Sequence, residues 1–495
     1  MENKQAEQNF SLPLSLRYNL GVADAVPSSK NLSQFLASNA SDFTPSNNTI
    51  RIPVGSPAFL DLNHSLLQMD VTNTSGQVAN LDSGADGLIR RIRVISSDGS
   101  TIEEIHEYGL LSSVLDQYTS SKGKQNVDSI LKGAPKYNDE TAEFSQVQSG
   151  AATATGAQAA SATITGLSVS VENELADGTD NKTRVLFSGA GGIGYDQNQS
   201  DKLDNNSKRR YLFSLKLGLF NMMANRLLPP STNFVLEIQL NDAANCIKTS
   251  ATPSYKVQNV ELHCPAIVIN DASFNQRMAQ RMAQGMVFKC NSYQHFVNTT
   301  ASGTGSDVAQ ISARARSLKA LMSIFRIQTN TVATAQYALS RRSIQYLDNY
   351  QYRIGSANYP VDRVNIKCRN TPTAGGTDAT TLPIASDQAD TNISEAYSQA
   401  CRVMGHVNNP GADILIGKQA FAGSELLNGV GIASVDLSAY ADSSVSSGIQ
   451  TLNNMPISLE FTKNAACNAI LQIDTFAIVE MSVVRDPSGN LQSFV

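Results

Sequence analysis

Residues 236–240 have the sequence LEIQL, in which apolar and polar side chains alternate strictly. In an extended strand, this period of two places the leucines and the isoleucine on one face and the glutamate and glutamine on the other. The same alternation recurs along the chain, at residues 67–71, 167–171, 213–219, 350–354, 457–461 and 479–483. One-sided burial is typical of antiparallel sheets, since parallel sheets are covered on both faces and contain continuous apolar runs. The pattern therefore predicts an antiparallel β protein.

The length of 495 residues exceeds what one hydrophobic core usually serves, so we expect two domains. Strands spread over the whole chain and separated by Gly, Asn, Ser and Asp are typical of β-sandwiches and barrels. The residues alone thus predict an all-β protein with small helical inserts.

Helical inserts are predicted where apolar residues lie three or four positions apart. The first such set is Ile105, Tyr108, Leu111, Leu115 and Tyr118. Another helix is predicted to begin at a capping box formed by Asn392 and Glu395 and to end at Gly405. Its apolar stripe consists of Tyr397, Cys401 and Met404.

The remaining predicted helix spans Asp271–Gln284, followed by Gly285 as a stop signal. Phe274, Met278 and Met282 lie on one stripe of this helix. We interpret the stripe as core packing in preference to a ligand site, because Met fills irregular gaps in cores.

Charged residues make up only 16% of the chain, hydrophobic residues make up 41%, and short polar side chains are abundant. A surface poor in charge suits a protein that neighbouring chains cover, although secreted β proteins share this composition. The formal net charge of −5 argues against a sequence-specific nucleic-acid reader, which normally has a basic excess. Small basic clusters occur at Arg90, Arg91 and Arg93; Lys208, Arg209 and Arg210; Arg277 and Arg281; and Arg314, Arg316 and Lys319. We interpret them as solvated or ion-paired, with a weakly positive surface facing nucleic acid as the alternative.

The first residues, MENKQAEQNF, are polar, which predicts no secretory signal. No window has the roughly 18–20 continuous apolar residues that a membrane helix needs. The six cysteines are Cys246, Cys264, Cys290, Cys368, Cys401 and Cys467. They form no CxxC pair, which favours reduced, buried thiols in a protein made inside a cell.

Several catalytic or binding patterns are incomplete. The segment 189–194 has the GxGxxG pattern, but residues 195–207 lack the apolar stripe of the helix that a dinucleotide site requires. His106 and Glu107 begin like HExxH, but Leu110 occupies the position of the second ligand. A further set of metal-ligand residue types is His263, Cys264, Cys290 and His295. Its spacing matches no zinc pattern, so we predict no catalytic, cofactor-binding or metal-binding residues; carboxylate pairs from distant strands stay open.

Three passages resemble a known family. The first, residues 50–118, contains an FLD turn, an IRR strand and a helix. The second, residues 260–296, contains a strand, an Arg-containing helix and the next strand. The third, residues 313–328, has the sequence ARARSLKALMSIFRIQ and contains a further strand. In this order they resemble the double jelly-roll major capsid proteins of icosahedral double-stranded DNA viruses, such as polinton-like viruses, virophages and large nucleocytoplasmic viruses. The chain departs from that pattern in having no Trp and no acidic residue beside the helix arginines.

The resemblance implies two consecutive eight-stranded antiparallel jelly rolls. It divides the chain into an N-terminal arm (1–45), a first roll (46–270), a connecting helix (271–285) and a second roll (286–495). It also implies a structural protein of the virion, not an enzyme, whose homotrimers form pseudo-hexagonal capsomers and an icosahedral shell around double-stranded DNA. Penton and minor or cement capsid proteins are the other expected partners, with at most non-specific genome contact. The polar segments 145–161, 195–206 and 371–390 are expected to form an outward tower.

Two other classes of protein fit an all-β chain less well. A carbohydrate-binding or adhesive β-sandwich would need aromatic platforms, but aromatic residues make up 6% of the chain. A cupin-like enzyme would need clustered His and Glu ligands, but the five histidines are scattered.

Overall fold

The computed structural model describes residues 28–119, 121–134, 136–137, 193–194, 202–223, 226–249, 251–328, 339–340, 342, 344–366, 393–404, 416, 421, 430–439, 447–453, 455–464, 467 and 469–495.

The first part of the chain forms an antiparallel sandwich. Its main strands are β1 (Ser28–Leu36), β2 (Thr49–Val54), β3 (Leu66–Asn73), β4 (Ile89–Ser96), β5 (Thr101–His106), β6 (Lys208–Phe213), β7 (Phe234–Leu240) and β8 (Tyr255–Ile269). One sheet has the order β1-β8-β3-β6, and the other has the order β2-β7-β4-β5. Shorter strands are Asp42–Phe43 and Phe59–Leu60 beside β8, Ala79–Leu81 between Lys202–Leu203 and Ile247–Thr249, and Lys136–Tyr137 paired with Ile193–Gly194.

The second part repeats this arrangement. Its main strands are β9 (Met286–Thr299), β10 (Gly305–Ile311), β11 (Leu318–Ile327), β12 (Leu347–Ile354), β13 (Ala357–Asn365), β14 (Ala433–Asp436), β15 (Ile457–Lys463) and β16 (Leu471–Arg485). The sheet orders are β9-β16-β11-β14 and β10-β15-β12-β13, so each strand matches the one eight positions earlier in the first sandwich. Strand Leu491–Phe494 also pairs with β16. The predicted fold, two consecutive eight-stranded antiparallel jelly rolls, is confirmed.

The alternating segments 67–71, 236–240, 350–354, 457–461 and 479–483 lie on strands and line the sandwich cores as predicted. The strand predicted over 213–219 is wrong: β6 ends at Phe213, and the residues after it form a loop and a 3-10 turn whose apolar side chains are still buried. In β15, Ile457, Leu459 and Phe461 are buried, while the residues between them are partly exposed. The Phe461 ring packs edge-on against Phe325 of the facing sheet, with 5.2 Å between centroids. Because each fully buried side chain of this size contributes about 1.5–3 kcal/mol, the alternation is the main stabilising feature of both rolls. The segment 167–171 lies outside the described residues.

The helical inserts differ from their predictions in detail. The helices are α1 (Tyr108–Thr119), α2 (Lys122–Lys132), a single turn Ala243–Cys246, α3 (Ala272–Gln284) and α4 (Ser394–Val403). Ile105, predicted in the first helix, belongs to β5 instead, and α2 was not predicted. The capping box predicted for α4 is wrong, because its N-cap is Ile393, which makes no side-chain cap and whose side chain is buried. Packing of this isoleucine, and not a polar cap, therefore fixes the start of α4.

Helix α3 follows its prediction closely. Asp271 caps its N-terminus by accepting hydrogen bonds from the Ser273 and Phe274 amides, and Gly285 ends it with φ +84°. The Phe274 ring lies 6.1 Å from that of Phe59. None of the thirteen residues of α3 is buried, so the interpretation of its apolar stripe as core packing is wrong, and the described residues cover the stripe only partly.

Strand β1 lies within the segment 1–45 and pairs along its whole length with β8 of the first roll. The division of the chain into an arm and two rolls stays a prediction, and this pairing favours starting the first roll at Ser28. Of the glycine motif 189–194, only Ile193–Gly194 is described, and it forms a short strand instead of opening a helix. Most of the segments 145–161, 195–206 and 371–390 lies outside the described residues. Within the described part of the chain, no helix is long and apolar enough to cross a membrane.

Candidate functional site

The contact between the two jelly rolls contains a buried polar site. Strand β5, at the edge of one sheet of the first roll, lies beside β9, at the edge of one sheet of the second roll. The side chain of Glu103, on β5, is at the centre of this contact and is only 3% exposed. The contact therefore combines two sheet edges with a buried carboxylate.

Donors from both rolls surround the Glu103 carboxylate. The Gly218 amide donates to both carboxylate oxygens at 2.9 Å, and the Leu219 amide donates at 3.4 Å. From the second roll, the Ser292 hydroxyl donates to Oε1 at 2.6 Å. Burial raises the pKa of Glu103, and these hydrogen bonds oppose that rise by stabilising the charged form. The Glu103 carboxylate thus accepts hydrogen bonds both from the loop after β6 and from strand β9, and so links the two rolls.

Gly218 allows the two rolls to approach closely. A Cβ atom at this position would lie 2.7 Å from the carbonyl oxygen of Asn291 and 3.0 Å from Sγ of Cys290, both on β9. Any larger residue would have to push β9 away, because a backbone oxygen cannot rotate aside. The Cys290 thiol is buried by this contact, and its burial raises its pKa. It is therefore a packing group and not a reactive thiolate.

A second polar contact joins the rolls near α1. Asp82 accepts hydrogen bonds from the Leu339 amide, at 2.6 Å, and from the Ser340 hydroxyl. Gln117 of α1 donates to the Ser340 carbonyl at 3.0 Å, and the Tyr118 hydroxyl donates to the Val430 carbonyl at 3.0 Å. All of these groups are buried, so the hydrogen bonds are made without competition from water.

The C-terminal residues make a third contact with the first roll. The Leu491 amide donates to Oγ of Ser96 at 2.9 Å, and the Ser97 hydroxyl donates to the Asn490 side chain at 2.7 Å. Nε of Arg485 donates to Oγ1 of Thr232 at 2.9 Å. Together the three contacts join the two rolls as a side-by-side pair.

The second roll also holds a buried charge cluster. Asp474 is fully buried on β16 and accepts from Nη2 of Arg326 at 2.7 Å and from Nε at 3.0 Å. Its other oxygen lies 3.0 Å from Nε2 of His295, whose ring packs against Phe476 with centroids 4.8 Å apart. Within the described residues, His295 has no hydrogen bond to a serine, threonine or cysteine, so this His–Asp pair lacks the third member of a nucleophilic triad. The cluster links three neighbouring strands of one sheet, since His295 lies on β9, Asp474 on β16 and Arg326 on β11.

The acid sensitivity of the fold should depend on Asp474. Burial alone would raise its pKa, but the Arg326 charge and the His295 hydrogen bond outweigh burial and lower the pKa to about 2. A carboxylate whose pKa is lowered by folding stabilises the folded state at pH values above its pKa in the unfolded chain. That contribution is lost as the pH falls towards its pKa in the folded chain. We therefore expect the destabilisation by Asp474→Asn, measured by guanidinium unfolding, to be about 1 kcal/mol smaller at about pH 3 than at about pH 6. A destabilisation that is equal at both pH values would contradict the assigned ionisation.

The first two predicted basic clusters are largely ion-paired within the protein. Nη2 of Arg93 lies 2.6 Å from Glu237, and Nη1 of Arg91 lies 3.2 Å from Glu104. In the second cluster, Lys208 and Arg210 lie 2.9 and 2.8 Å from the buried Asp70. Further ion pairs and ring contacts involve Arg90 with Glu107, Lys319 with Glu480, and Arg316 with the Phe494 ring. Ion pairing therefore accounts for these clusters better than a nucleic-acid surface does, whereas Arg277 and Arg281 are exposed on α3.

The candidate metal-ligand residues that the sequence analysis set aside have other partners. His263 pairs with Glu261 at 3.1 Å, and the buried Cys264 contacts the Asp61 carbonyl. His106 pairs with Glu104 at 3.4 Å. Among the described residues, no group of three or more His, Cys, Asp or Glu is arranged to hold a metal ion.

No protein-family model and no curated protein matches this chain. Solved structures do match it. A chain in the cryo-EM structure of the Sputnik virophage has a TM-score of 0.54 and 12% identity, with 98% of this chain and 92% of that chain covered. The Faustovirus major capsid protein has a TM-score of 0.51 and 9% identity, with 97% and 95% covered. The mavirus major capsid protein has a TM-score of 0.51 and 9% identity, with 98% and 94% covered.

This chain has the fold of viral major capsid proteins. Coverage above 90% on both sides means that both jelly rolls and their order are shared. At identities near 10% the likeness concerns the double jelly-roll fold and its connections, and not individual side chains.

Proposed function

We propose that this double jelly-roll chain is the major capsid protein of an icosahedral double-stranded DNA virus. The observation that carries the proposal is the pair of rolls with one strand order, matched over nearly the whole length of the Faustovirus and mavirus major capsid proteins. Its role is structural, without a catalytic step. It resides in the virion, with penton and minor capsid proteins as further partners and at most non-specific contact with the genome.

The assembly unit proposed is a homotrimer. Each chain supplies two sandwiches of the same topology, so three chains place six similar sandwiches around one axis. Closed cyclic symmetry is the usual arrangement of homo-oligomers. A chain in which only 16% of the residues are charged also suits coverage by neighbouring copies, because interface cores are depleted of charge. The trimers then form the shell through weaker contacts with one another.

Trimer formation is tested by the mass of the purified chain in solution. Light scattering on a sizing column is expected to give a molar mass three times the 53.0 kDa of one chain. This mass should be found at all concentrations at which the trimer does not dissociate. Dilution should yield monomers without a stable dimer, because a ring lacking one member leaves two contacts open. A chain that stays monomeric at high concentration and high salt would contradict the proposal.

A further inference from the structure

Two lysines and two aspartates meet beside helix α1 of the first roll, largely shielded from water. Asp86 lies in the single turn Ala85–Leu88 before β4, Asp116 lies on α1, Lys132 ends α2, and Lys216 lies in the loop after β6. The side chains are 1%, 14%, 5% and 17% exposed, in that order. We call these four residues the lysine–aspartate cluster.

The Asp116 carboxylate is held between the two lysines. Nζ of Lys216 lies 2.6 Å from its Oδ1, and Nζ of Lys132 contacts its Oδ2. Because Oδ1 is bonded to the carboxyl carbon, the Lys216 amine lies next to a carbon on which an amine can form an amide. Such fixed proximity replaces a slow bimolecular encounter and is the main requirement for a reaction between two side chains.

Ser112 connects Lys216 to Asp86. It lies one turn before Asp116 on α1, so both side chains project from the same face of the helix. Its Oγ accepts a hydrogen bond from Nζ of Lys216 at 2.5 Å and donates one to Oδ2 of Asp86. The other oxygen of Asp86, Oδ1, is buried and has no hydrogen-bond partner among the described residues. An oxygen left open in this way is costly in an ion pair, but it is what a proton acceptor needs.

Burial makes the charged form of the cluster costly. Burial lowers the pKa of Lys216, which favours the neutral amine that acts as a nucleophile. Burial alone would raise the pKa of Asp116, but the charges of Lys216 and Lys132 outweigh burial and lower it. Condensation of Lys216 with Asp116 replaces two buried charges by one neutral amide and so removes the desolvation cost of both.

We propose that Nζ of Lys216 forms an isopeptide bond with the side-chain carboxyl carbon of Asp116. One proton of the Lys216 ammonium passes to Oδ1 of Asp116, and the neutral amine attacks the carbon. A second proton leaves the nitrogen through Ser112 to Asp86 and is returned to Oδ1, whose bond to the carbon breaks. The ammonium and the carboxylate thereby become one amide and one water molecule, without an oxidant, a reductant or any other reactant.

Lys132 stabilises the intermediate of this reaction. Its ammonium contacts Oδ2 of Asp116, the oxygen that carries the negative charge after the attack. Burial alone would lower the pKa of Lys132, but the neighbouring aspartates, including Asp128 at 3.9 Å, outweigh burial and raise it. Lys132 therefore stays charged while Lys216 reacts.

The isopeptide bond joins α1 to the loop after β6, the loop whose Gly218 packs against β9 of the second roll. It forms within one chain, so it does not depend on the proposed trimer. The reaction occurs once in each chain and turns over no substrate.

The mass of the denatured chain tests the proposal. Mass spectrometry of the purified chain, unfolded in acid, should give the sequence mass less one water molecule for nearly all of the sample. After trypsin digestion, the loss should be found in one branched peptide. This peptide joins residues 94–122, which contain Asp116, to residues 211–226, in which trypsin no longer cleaves after Lys216. A chain with its full sequence mass, or a water lost at any other pair of residues, would overturn the proposal.

Substitutions test the roles of the residues in the cluster. Lys216→Met should give the full sequence mass. Asp86→Asn should do the same although both bonding residues are present, because asparagine does not accept the proton. The matched control is Lys124→Met, which removes an exposed lysine of α2 and should keep the loss of water.

Loss of water from Lys216→Met or from Asp86→Asn would overturn the proposed reaction. The mass of the unmodified chain decides the question even if one of these variants does not fold. A chain that carries the isopeptide bond and stays monomeric would refute the proposed function and leave this proposal standing.

Discussion

Replacing Arg326 with methionine is expected to lower the free energy of unfolding by about 3–5 kcal/mol, the usual cost of removing one partner of a buried ion pair. Arg326 is the strong cation beside Asp474, and the Asp474 side chain is 0% exposed. Without Arg326, the Asp474 carboxylate keeps only His295 and Gln472 as polar partners among the described residues. Guanidinium unfolding at one fixed protein concentration measures the effect, since the stability of an oligomer depends on concentration.

Two further variants show whether this effect comes from burial. Arg363 is 46% exposed and pairs with Glu460 at 3.2 Å, so Arg363→Met should change the stability by less than about 1 kcal/mol. Changing Arg326→Met and Asp474→Leu together should cost less than Arg326→Met alone, because no unpaired carboxylate then remains buried. Equal losses for Arg326→Met and Arg363→Met would contradict the structural role of the cluster.

Replacing Glu103 with leucine is expected to cost about 2–4 kcal/mol and to loosen the contact between the rolls. Leucine fills a similar volume, but it leaves the buried Gly218 and Leu219 amides and the Ser292 hydroxyl without their acceptor. Each unsatisfied buried donor costs about 1–3 kcal/mol. Unfolding measurements should show the loss of stability, and amide hydrogen exchange should become faster in the loop after β6 and in β9.

Glu104 provides the matched control for Glu103. It is the next residue on β5, its side chain is 31% exposed, and it pairs with Arg91 at the surface. Glu104→Leu should therefore change stability by less than about 1 kcal/mol and leave exchange in β9 unaltered. If Glu103→Leu behaved like Glu104→Leu, the carboxylate would not be the group that joins the rolls.

The regular part of the fold could be predicted from local sequence. Alternation such as LEIQL at 236–240 requires only that one strand face be apolar, and the strand was found where the pattern predicted it. The caps of α3 were also predictable, because Asp271 and Gly285 act on neighbouring backbone groups. Many different apolar residues satisfy such patterns, which is consistent with a shared fold at identities near 10%.

The contact between the rolls and the buried charge cluster of the second roll could not be predicted from the sequence. Glu103 and Gly218 are 115 positions apart, and Arg326 and Asp474 are 148 positions apart, so no local pattern links them. The one local signal was the run Ile102–Ile105, in which Glu103 and Glu104 interrupt the alternation. That interruption marks a strand with polar groups on both faces, but it does not reveal which of the two carboxylates is buried or what it binds.

Electron microscopy of the purified chain tests the central claim most directly. Class averages of the assembled species should show a threefold particle with six similar lobes around a closed ring, two from each chain. In such a particle, the two lobes of one chain would be joined by the contact through Glu103. Particles with only two lobes, or open chains of lobes without closure, would contradict the account of this protein as a trimeric capsid subunit.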